Sequence, residues 1–320
     1  MKALITGGAG FIGSHVADAY LAAGLEVVGV DDLSRGSRAN LPREVPFYQL
    51  DIRDRDVLAE VFAREKPDLV NHHAAQIDVR HSVRDPIFDA ECNILGSIHL
   101  LQLAVKFKVQ RFVYASTGGA IYGEPKELPA DEATPVEPLA PYGISKHTFE
   151  HYLENARVLY GLPFVVLRYG NVYGPRQSSK GEAGVVAIFC EQMLQRITPT
   201  IYGDGKKTRD YVEVSDVARA NLQALKYGEG EIFNIATGVA TTDYEVFLAV
   251  RDALGVPPFE PHYAPKRPGE VDHIYLDVRK AAQGLNWQPK VAFRAGVART
   301  ADWFRHHFVP PFRYHEPPVL

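Results

Sequence analysis

The stretch KALITGGAGFIG, residues 2–13, decides the fold, because an apolar strand pattern runs directly into a glycine-rich turn and a helical pattern. Gly7 permits a tight turn, Gly10 lets a pyrophosphate approach the backbone, and Gly13 lets the helix pack closely on the strand. The helix N-terminus offers free N–H groups and a partial positive charge to phosphates. A strand, a glycine turn and a helix in this order predict a dinucleotide-binding unit.

An acidic residue follows the glycine turn by about twenty positions, the spacing that is typical of such a site. It is Asp31, at the end of the apolar run EVVGVDD. A carboxylate there can accept both ribose hydroxyls and would repel a 2′-phosphate, which favours NAD over NADP. Asp32 is the alternative, either sharing this role or serving as a turn residue. Phe11 and Ile12, at the head of the helix, are expected to line the same cofactor site.

Short apolar runs alternate with helical patterns up to about residue 170. After the first strand come the runs EVVGVDD, PFYQLDI, LVNHHAA, RFVYAS and FVVLRYG. Helical patterns separate most of them, notably over residues 12–23, 87–107 and 143–160. Buried-type strands that alternate with helices predict an α/β fold with a Rossmann-type, doubly wound parallel sheet.

The character of the chain changes after Gly174, where glycine- and proline-punctuated loops separate shorter elements. We expect residues 1–171 to form the NAD-binding Rossmann domain, with segments near 210–237 returning to it. Residues 172–320 are expected to form a smaller, interleaved α/β domain that holds the substrate.

Residues that follow the third and fourth strands lie at the carboxyl edge of the sheet, where such folds bind ligands. Asp51 and Ile52 follow the third strand, where an adenine could lie. Ala74 and Ala75 follow the fourth strand, and their small side chains would leave room for the cofactor.

His72 and His73 stand side by side in the fourth strand pattern and invite a metal interpretation. Alternate side chains of a strand point to opposite faces, so the two rings cannot easily chelate one ion. We therefore expect His72 and His73 to lie in the core or behind the site, and we expect them to bind no metal ion.

The composition excludes several classes of partner. The net charge of -4 gives no general attraction to nucleic acid or to anionic membranes. No apolar run approaches the roughly 18 residues that a membrane span needs, and no secretory signal precedes the first strand. Cys92 and Cys190 lie in apolar surroundings and are expected to be free thiols, which fits a reducing, cytoplasmic compartment.

A second motif, PYGISK at residues 141–146, carries the candidate chemistry. Tyr142 and Lys146 stand at i and i+4 of a helical pattern, so they share one face. At about 4 Å and an effective dielectric near 20, a lysine ammonium would favour a phenolate by roughly 4 kcal/mol. That corresponds to about three pKa units, enough to bring the pKa of a tyrosine towards neutrality.

These motifs together resemble the extended short-chain dehydrogenase/reductase superfamily. The resemblance rests on TGGAGFIG, Asp31, AST, PYGISK, LRYGNVYGPR and RDYVEVSDVA. With KRPGEVDHIYLD and LNW nearer the C-terminus, the chain is similar to the UDP-galactose (UDP-glucose) 4-epimerase group in particular. The match extends from residue 1 to about residue 305.

The resemblance implies 4-epimerisation of a UDP-hexose by a tightly held NAD, through a transient 4-keto sugar. Tyr142 would take the proton from the sugar 4-hydroxyl while the C4 hydride passes to NAD. Lys146 would hold the nicotinamide ribose and tune Tyr142. A hydroxyl from the strand-end stretch YASTGGAIYG, residues 114–123, would relay the proton between the tyrosine and the sugar.

Two alignments give different answers for that hydroxyl. Aligned by the downstream YG pair, the family position falls on Gly118, which has no side chain. Aligned by the distance to Tyr142, it falls on Thr117. We expect Thr117 to supply the relay and Ser116 to turn towards the fold at the cofactor side, because glycines permit a different backbone path here.

The resemblance also carries binding positions over to this chain. On the cofactor side they are Asn93, in a supporting role, and Tyr169, near the nicotinamide. On the substrate side they are Asn171, Arg209, Arg267 and Glu270. The two arginines would clamp the diphosphate, and a surface or interdomain ion pair is the alternative for each.

Related dehydratases and decarboxylases carry an acidic residue just after the Ser/Thr edge. Gly118 and Gly119 stand there in this chain, which argues against both reactions and leaves epimerisation. N-acetylated hexoses stay open as substrates, because Ile274, at the sugar-pocket position, is intermediate in size. UDP-glucuronate also stays open, because a basic side chain from the loop at residues 176–180 could meet its carboxylate. A catalytically silent NAD-binding protein is the alternative from another functional class. We expect a homodimer formed through the helices near 87–107 and 143–160.

Overall fold

The computed structural model describes residues 1–179, 184–266 and 271–307. The strands are, in chain order, β1 (Lys2–Thr6), β2 (Glu26–Asp31), β3 (Phe47–Gln49), β4 (Leu69–His72), β5 (Arg111–Thr117), β6 (Phe164–Tyr169), β7 (Asn171–Tyr173), β8 (Thr200–Tyr202), β9 (Thr208–Arg209), β10 (Tyr211–Glu213), β11 (Glu231–Ile235), β12 (Thr241–Thr242) and β13 (His262–Ala264). The helices are α1 (Phe11–Ala22), α2 (Arg55–Glu65), α3 (Val79–Arg84), α4 (Pro86–Ala90), α5 (Ser97–Lys106), α6 (Gly118–Ile121), α7 (Pro141–Tyr160), α8 (Val185–Leu194), α9 (Val214–Gln223), α10 (Asp243–Leu254), α11 (Arg279–Gly284) and α12 (Phe293–His307). Within these described ranges no helix is long and apolar enough to cross a membrane.

Seven strands form one parallel sheet in the order β3-β2-β1-β4-β5-β6-β11. The chain builds outward from β1 through β2 and β3, then starts again on the other side of β1 with β4. The strand order therefore reverses between β1 and β4, and the carboxyl ends of these two strands open a crevice. This confirms the predicted Rossmann-type, doubly wound α/β fold.

Helices cover both faces of the sheet, which explains why its strands are almost continuously apolar. On one face, Leu4, Val70 and Phe112 pack against apolar residues of α5 and α7. On the other face, Ala3 and Ile5 pack against residues of α1 and α9. Burying one such leucine or phenylalanine is worth about 2 kcal/mol, so the sheet is a firm base for its edge loops.

The C-terminal part of the chain contributes both to this sheet and to a separate core. β11 pairs with β6 in parallel, and α9 packs beside α1. The helices α8, α10 and α12 form another apolar cluster, which includes Phe189, Phe247 and Phe304. The boundary between two domains at residue 171 stays a prediction.

Local sequence sets the bounds of α7, the helix that contains PYGISK. Pro141 occupies its first turn, where no intrahelical partner for a backbone N–H is needed. Gly161 ends the helix in the left-handed region, with φ +68°. Because of Pro141, the helix begins slightly before the predicted range of 143–160. The helix predicted over 87–107 is divided into α4, a π-helical segment at Glu91–Gly96, and α5.

Candidate active site

A cavity of about 420 Å³ lies at the carboxyl edge of the sheet, at the crevice between β1 and β4. Its walls come from the glycine turn after β1, the carboxyl ends of β2, β5 and β6, the residues that follow β3 and β4, the start of α7 and the loop after β7. The sequence-predicted residues that line it are Gly7, Gly10, Phe11, Ile12, Gly13, Asp31, Asp51, Ile52, Ala74, Ala75, Ser116, Tyr142, Lys146 and Tyr169. The fold thus brings both sequence motifs to one site.

The glycine turn has no room for side chains. Gly7 has φ +65°, and a Cβ added there would lie 2.7 Å from the backbone nitrogen of Ala74. A Cβ on Gly13 would lie 2.2 Å from the carbonyl oxygen of Gly7. Gly10 stands at the N-cap of α1, so no N-cap side chain competes for the first-turn N–H groups. These groups are left for an anionic ligand, which fits the diphosphate of a dinucleotide.

Asp31 ends β2 at the rim of this glycine turn. Its carboxylate accepts hydrogen bonds from the backbone N–H of Ala9 (3.1 Å) and of Leu33 (2.8 Å). Burial raises its pKa. Because a carboxylate has about four acceptor positions, lone pairs stay free for a ligand. Asp32 instead accepts from the N–H and hydroxyl of Ser34, at 2.9 and 2.6 Å, so Asp31 is the better-placed partner for a ribose.

The expected adenine side of the cavity is built on the loop after β3. Asp51 pairs with Arg53 at 2.7 Å, and Ile52 is buried beside it. Asn93 lies behind the cavity wall, where its amide oxygen accepts from the Gln76 N–H at 2.8 Å and its amide nitrogen donates to the Gln76 carbonyl at 2.9 Å. Gln76 itself lines the cavity, so Asn93 would support the cofactor through it.

The two neighbouring histidines have different surroundings. His72 is buried, with Nδ1 2.7 Å from the Thr6 hydroxyl and Nε2 2.8 Å from the Ser97 hydroxyl. His73 lines the cavity, with Nε2 3.1 Å from the hydroxyl of Tyr169. Burial lowers the pKa of His73 to about 3, so the ring is neutral. We expected His73 in the core or behind the site; it lines the cavity instead and is a candidate cofactor-site residue, and its position directly after β4 was the available signal.

Tyr142 and Lys146 lie on the face of α7 that borders the cavity. The Lys146 ammonium donates to the Ala115 carbonyl at 2.9 Å and lies 4.9 Å from the centre of the Tyr114 ring. Burial lowers the pKa of Lys146 to about 8 and raises the pKa of Tyr142. The expected lowering of the tyrosine pKa by Lys146 is therefore not found in the free protein: burial and the Asp89 carboxylate both raise the pKa of Tyr142, and the Lys146 ammonium is engaged by the main chain.

The end of β5 presents its two hydroxyls differently. Ser116 is buried and donates to Glu150 at 2.6 Å, and Glu150 is paired with Arg168 at 2.6 Å. Thr117 is half-buried, and its hydroxyl makes no capping bond to α6. Among the described residues that line the cavity, Ser116 is present and Thr117 is not. Ser116 therefore has a structural partner, whereas the relay role of Thr117 stays a prediction.

Gly118, the other position considered for the relay hydroxyl, faces an apolar cluster. A Cβ on Gly118 would lie 2.4 Å from Cδ1 of Leu276 and 3.4 Å from the Arg168 carbonyl oxygen. Leu276 is buried in a cluster of apolar side chains. A Cβ on Gly119 would instead lie 3.2 Å from the amide oxygen of Asn171. A side chain at 118 would thus require Leu276 to move within this apolar cluster.

The predicted substrate residues are only partly within the described chain. Asn171 is half-buried in β7, next to Gly119 in α6. The guanidinium of Arg209 donates to the Val271 carbonyl at 2.6 Å, so it secures the main chain at that point. Arg267 and Glu270 lie outside the described residues.

Arg176 and Gln177, in the loop after β7, also line the cavity, although the sequence indicated this loop only as a source of a basic side chain for UDP-glucuronate. Nη2 of Arg176 lies 2.8 Å from the carboxylate of Asp18, and Nη1 donates to the Ser14 hydroxyl at 3.2 Å. Both partners belong to α1. Only the folded chain brings this loop against that helix.

Three features define a protein of the short-chain dehydrogenase/reductase type: a doubly wound sheet, a glycine turn shaped for a dinucleotide, and a half-buried Tyr142 with a buried Lys146 at the same cavity. The family described as "NAD dependent epimerase/dehydratase family" matches residues 3–236. The chain belongs to this family.

Similar proteins share the whole architecture. A Methanocaldococcus jannaschii protein described as a putative UDP-glucose 4-epimerase is 44% identical over 304 residues, which cover 95% of this chain and 98% of that protein. The crystal structure of Thermotoga maritima UDP-glucose 4-epimerase with UDP-glucose is 47% identical, with a TM-score of 0.93, and covers 96% of this chain and 99% of that one. The crystal structure of Thermus thermophilus UDP-glucose 4-epimerase with NAD is 46% identical, with a TM-score of 0.91. The match covers 96% of this chain and 100% of that one.

Proposed function

We propose that the chain is a UDP-glucose 4-epimerase, which interconverts UDP-glucose and UDP-galactose with a tightly bound NAD. The observation that carries this proposal is that Tyr142 and Lys146 border the same cavity as the glycine turn. The similarity to relatives named for UDP-glucose supports the substrate class. NAD, when bound, would accept and return the hydride and add positive charge beside Tyr142.

The cofactor would be held by residues at the strand ends. The glycine turn and the first turn of α1 would bind its diphosphate, and Asp31 would accept hydrogen bonds from a ribose. Asp51 and Ile52 would form the adenine side of the site. The small side chains of Ala74 and Ala75 leave space at the end of β4, next to the buried Tyr169–His73 pair.

Tyr142 is the proposed acid and base of the reaction. It would remove the proton from the sugar 4-hydroxyl and return it after the 4-keto sugar has turned over in the site. Because Lys146 has a pKa of about 8, it carries a positive charge at neutral pH and stabilises the phenolate when Tyr142 loses its proton. Thr117 would relay the proton between Tyr142 and the sugar.

The substrate would lie next to the side of the cavity that is lined by Arg176 and Gln177, in the loop after β7. Asn171 would hydrogen-bond the sugar or diphosphate, and Arg209 and Arg267 would bind the diphosphate through charge-assisted hydrogen bonds. Glu270 would accept from the uridine ribose. In the structure the Arg209 guanidinium donates to the carbonyls of Thr208, Val271 and Asp272, so binding the diphosphate would compete with these main-chain partners.

Conversion of UDP-galactose to UDP-glucose by the purified protein, without added NAD, tests the proposal. Tyr142→Phe is the control: it should abolish turnover and retain bound NAD, because the phenol oxygen is lost while the glycine turn is untouched. If the protein converts none of the three substrates, UDP-glucose, its N-acetyl form and UDP-glucuronate, that result would contradict the epimerase function. Substantial turnover by Tyr142→Phe would show that another base acts.

Two alternatives are separated by the same assay. A catalytically silent NAD-binding protein would release NAD on denaturation but convert none of these substrates. An epimerase for UDP-glucuronate or N-acetylated hexoses would show higher kcat/KM with those sugars than with UDP-galactose. Ile274, the expected sugar-pocket residue, is buried in the apolar cluster around Leu276 and is not among the described residues that line the cavity.

The proposal includes a homodimer in the cytoplasm. Apolar side chains are exposed on α4 and α7: Ile87 is 72% exposed, Ile144 is 51% exposed and Val158 is 66% exposed. An isologous contact between copies would bury such faces. The two cysteines are free thiols, which fits a reducing compartment. A monomeric mass in solution would contradict the dimer.

A further inference from the structure

We propose that Arg176 is a positioning residue that controls how long the cofactor stays bound, by fastening the loop after β7 to α1. The inference rests on the proposed function only in taking NAD as the ligand. Arg176 and the glycine turn belong to the walls of one cavity. The turn at residues 174–177 is therefore part of the wall of the cavity that would hold the cofactor.

The backbone around Arg176 is a tight turn. The Gln177 N–H donates to the Gly174 carbonyl at 3.4 Å, with Pro175 and Arg176 between them. Arg176 has φ +66°. A turn with proline at its second position and a left-handed residue at its third favours glycine or asparagine at the third. An arginine at such a position is retained only where its surroundings hold it.

Those surroundings are two side chains of α1. Nη2 of Arg176 lies 2.8 Å from a carboxylate oxygen of Asp18, and Nη1 donates to the Ser14 hydroxyl at 3.2 Å. Ser14 is fully buried and its hydroxyl donates to the Phe11 carbonyl at 3.1 Å. The guanidinium is thus tied to the first turns of α1, next to the N–H groups that would bind the diphosphate.

The same loop also packs against the start of α1. A Cβ on Gly174 would lie 3.7 Å from the Phe11 ring and 2.5 Å from Val214. The side chain of Gln177 donates to the Val172 carbonyl at 3.0 Å and lines the cavity. The turn is therefore anchored at its base by packing and at its tip by the Arg176–Asp18 pair. Loss of that pair would free the tip and let the diphosphate leave more often.

The test is the rate of NAD release, measured by exchange of bound labelled NAD against excess unlabelled NAD. Arg176→Gly removes the guanidinium and suits the left-handed backbone, so the variant should fold. Asp18→Asn removes the partner charge and keeps the shape. Each should speed release by roughly three- to ten-fold, the range for a partly exposed, charge-assisted pair. The double variant should release NAD no faster than either single variant.

Arg196→Gly is the matched control, because Arg196 also has a positive φ, +61°, and does not belong to the described cavity wall. Its release rate should stay within about two-fold of the unmodified protein. An unchanged rate in Arg176→Gly, an unchanged rate in Asp18→Asn, or a further increase in the double variant would each overturn the proposal. Because release is measured without turnover, a failed epimerase assay leaves this test intact.

Discussion

The hydroxyl of Ser116 donates to the Glu150 carboxylate at 2.6 Å, and this bond settles what the first hydroxyl at the end of β5 does. Both side chains are buried. Glu150 also accepts two hydrogen bonds from Arg168, at 3.0 and 2.6 Å. Ser116 therefore belongs to a buried ionic network, although it also borders the cavity.

This network separates the expected effects of two substitutions at the strand end. Ser116→Ala should cost about 1–2 kcal/mol of unfolding free energy, because Glu150 loses a donor, and should lower kcat only slightly. Thr117→Val should leave stability nearly unchanged and lower kcat by about 100-fold or more, as loss of a proton relay does. Urea unfolding and steady-state kinetics measure the two effects. Equal, mild losses of kcat would show that Tyr142 acts without a protein hydroxyl.

The position of Gly118 predicts that a hydroxyl added there cannot replace Thr117. Gly118→Ser should lower the unfolding free energy by about 1–3 kcal/mol, because its Cβ meets Leu276 in the core. In a Thr117→Val background it should restore no turnover. Gly119→Ala is the control for added volume, since its Cβ meets one amide oxygen at 3.2 Å, and it should be better tolerated. Recovered turnover in the Ser variant would place the relay at 118.

Lys146 makes the stability of the cofactor-free protein depend on pH. In the unfolded chain its pKa is 10.5, and in the folded chain burial lowers it to about 8. Between these two pKa values the unfolded state binds more protons than the folded state. The free energy of unfolding therefore rises as the pH is raised from about 8 towards 10.5, and it falls when the pH is lowered back to about 8. Lys146→Met should remove this dependence, which is on the order of 3 kcal/mol over the full range.

Urea unfolding of both cofactor-free proteins at several pH values from 8 upward checks the Lys146 prediction, since the other titrations cancel in the difference. At pH 7 Lys146→Met should be at least as stable as the unmodified protein and inactive, because a buried charge costs stability that a methionine does not. A constant difference between the two proteins across this pH range would contradict the lowered pKa.

The buried pair of Glu150 and Arg168 is expected to be a main determinant of stability. Both side chains are 3% exposed, so Glu150→Gln leaves a buried guanidinium without its counter-charge and should cost about 3 kcal/mol. Glu154→Gln, on the same helix, breaks an exposed pair with Arg157 and should leave stability almost unchanged. Chemical unfolding of the two variants measures the contrast. Similar stabilities would mean that the buried pair contributes little.

Much of the fold was predictable from the sequence, because its signals are local. The glycine turn, the apolar strand and the helix after it are contiguous, so spacing alone identifies them, and the acidic residue at 31 follows at a fixed distance. Tyr142 and Lys146 are one helical turn apart, and their shared face follows from helix geometry. The structure places all of these at one cavity.

The sequence by itself therefore determined the sheet, the glycine turn for the dinucleotide, and the pair on α7. Only the tertiary structure decided that Ser116 bonds to Glu150, that His73 borders the cavity, and that Arg176 reaches Asp18 on α1. It also decided that burial dominates the pKa of Tyr142. The physical reason is that a side chain's partners and its solvation depend on residues distant in sequence, which no local pattern encodes.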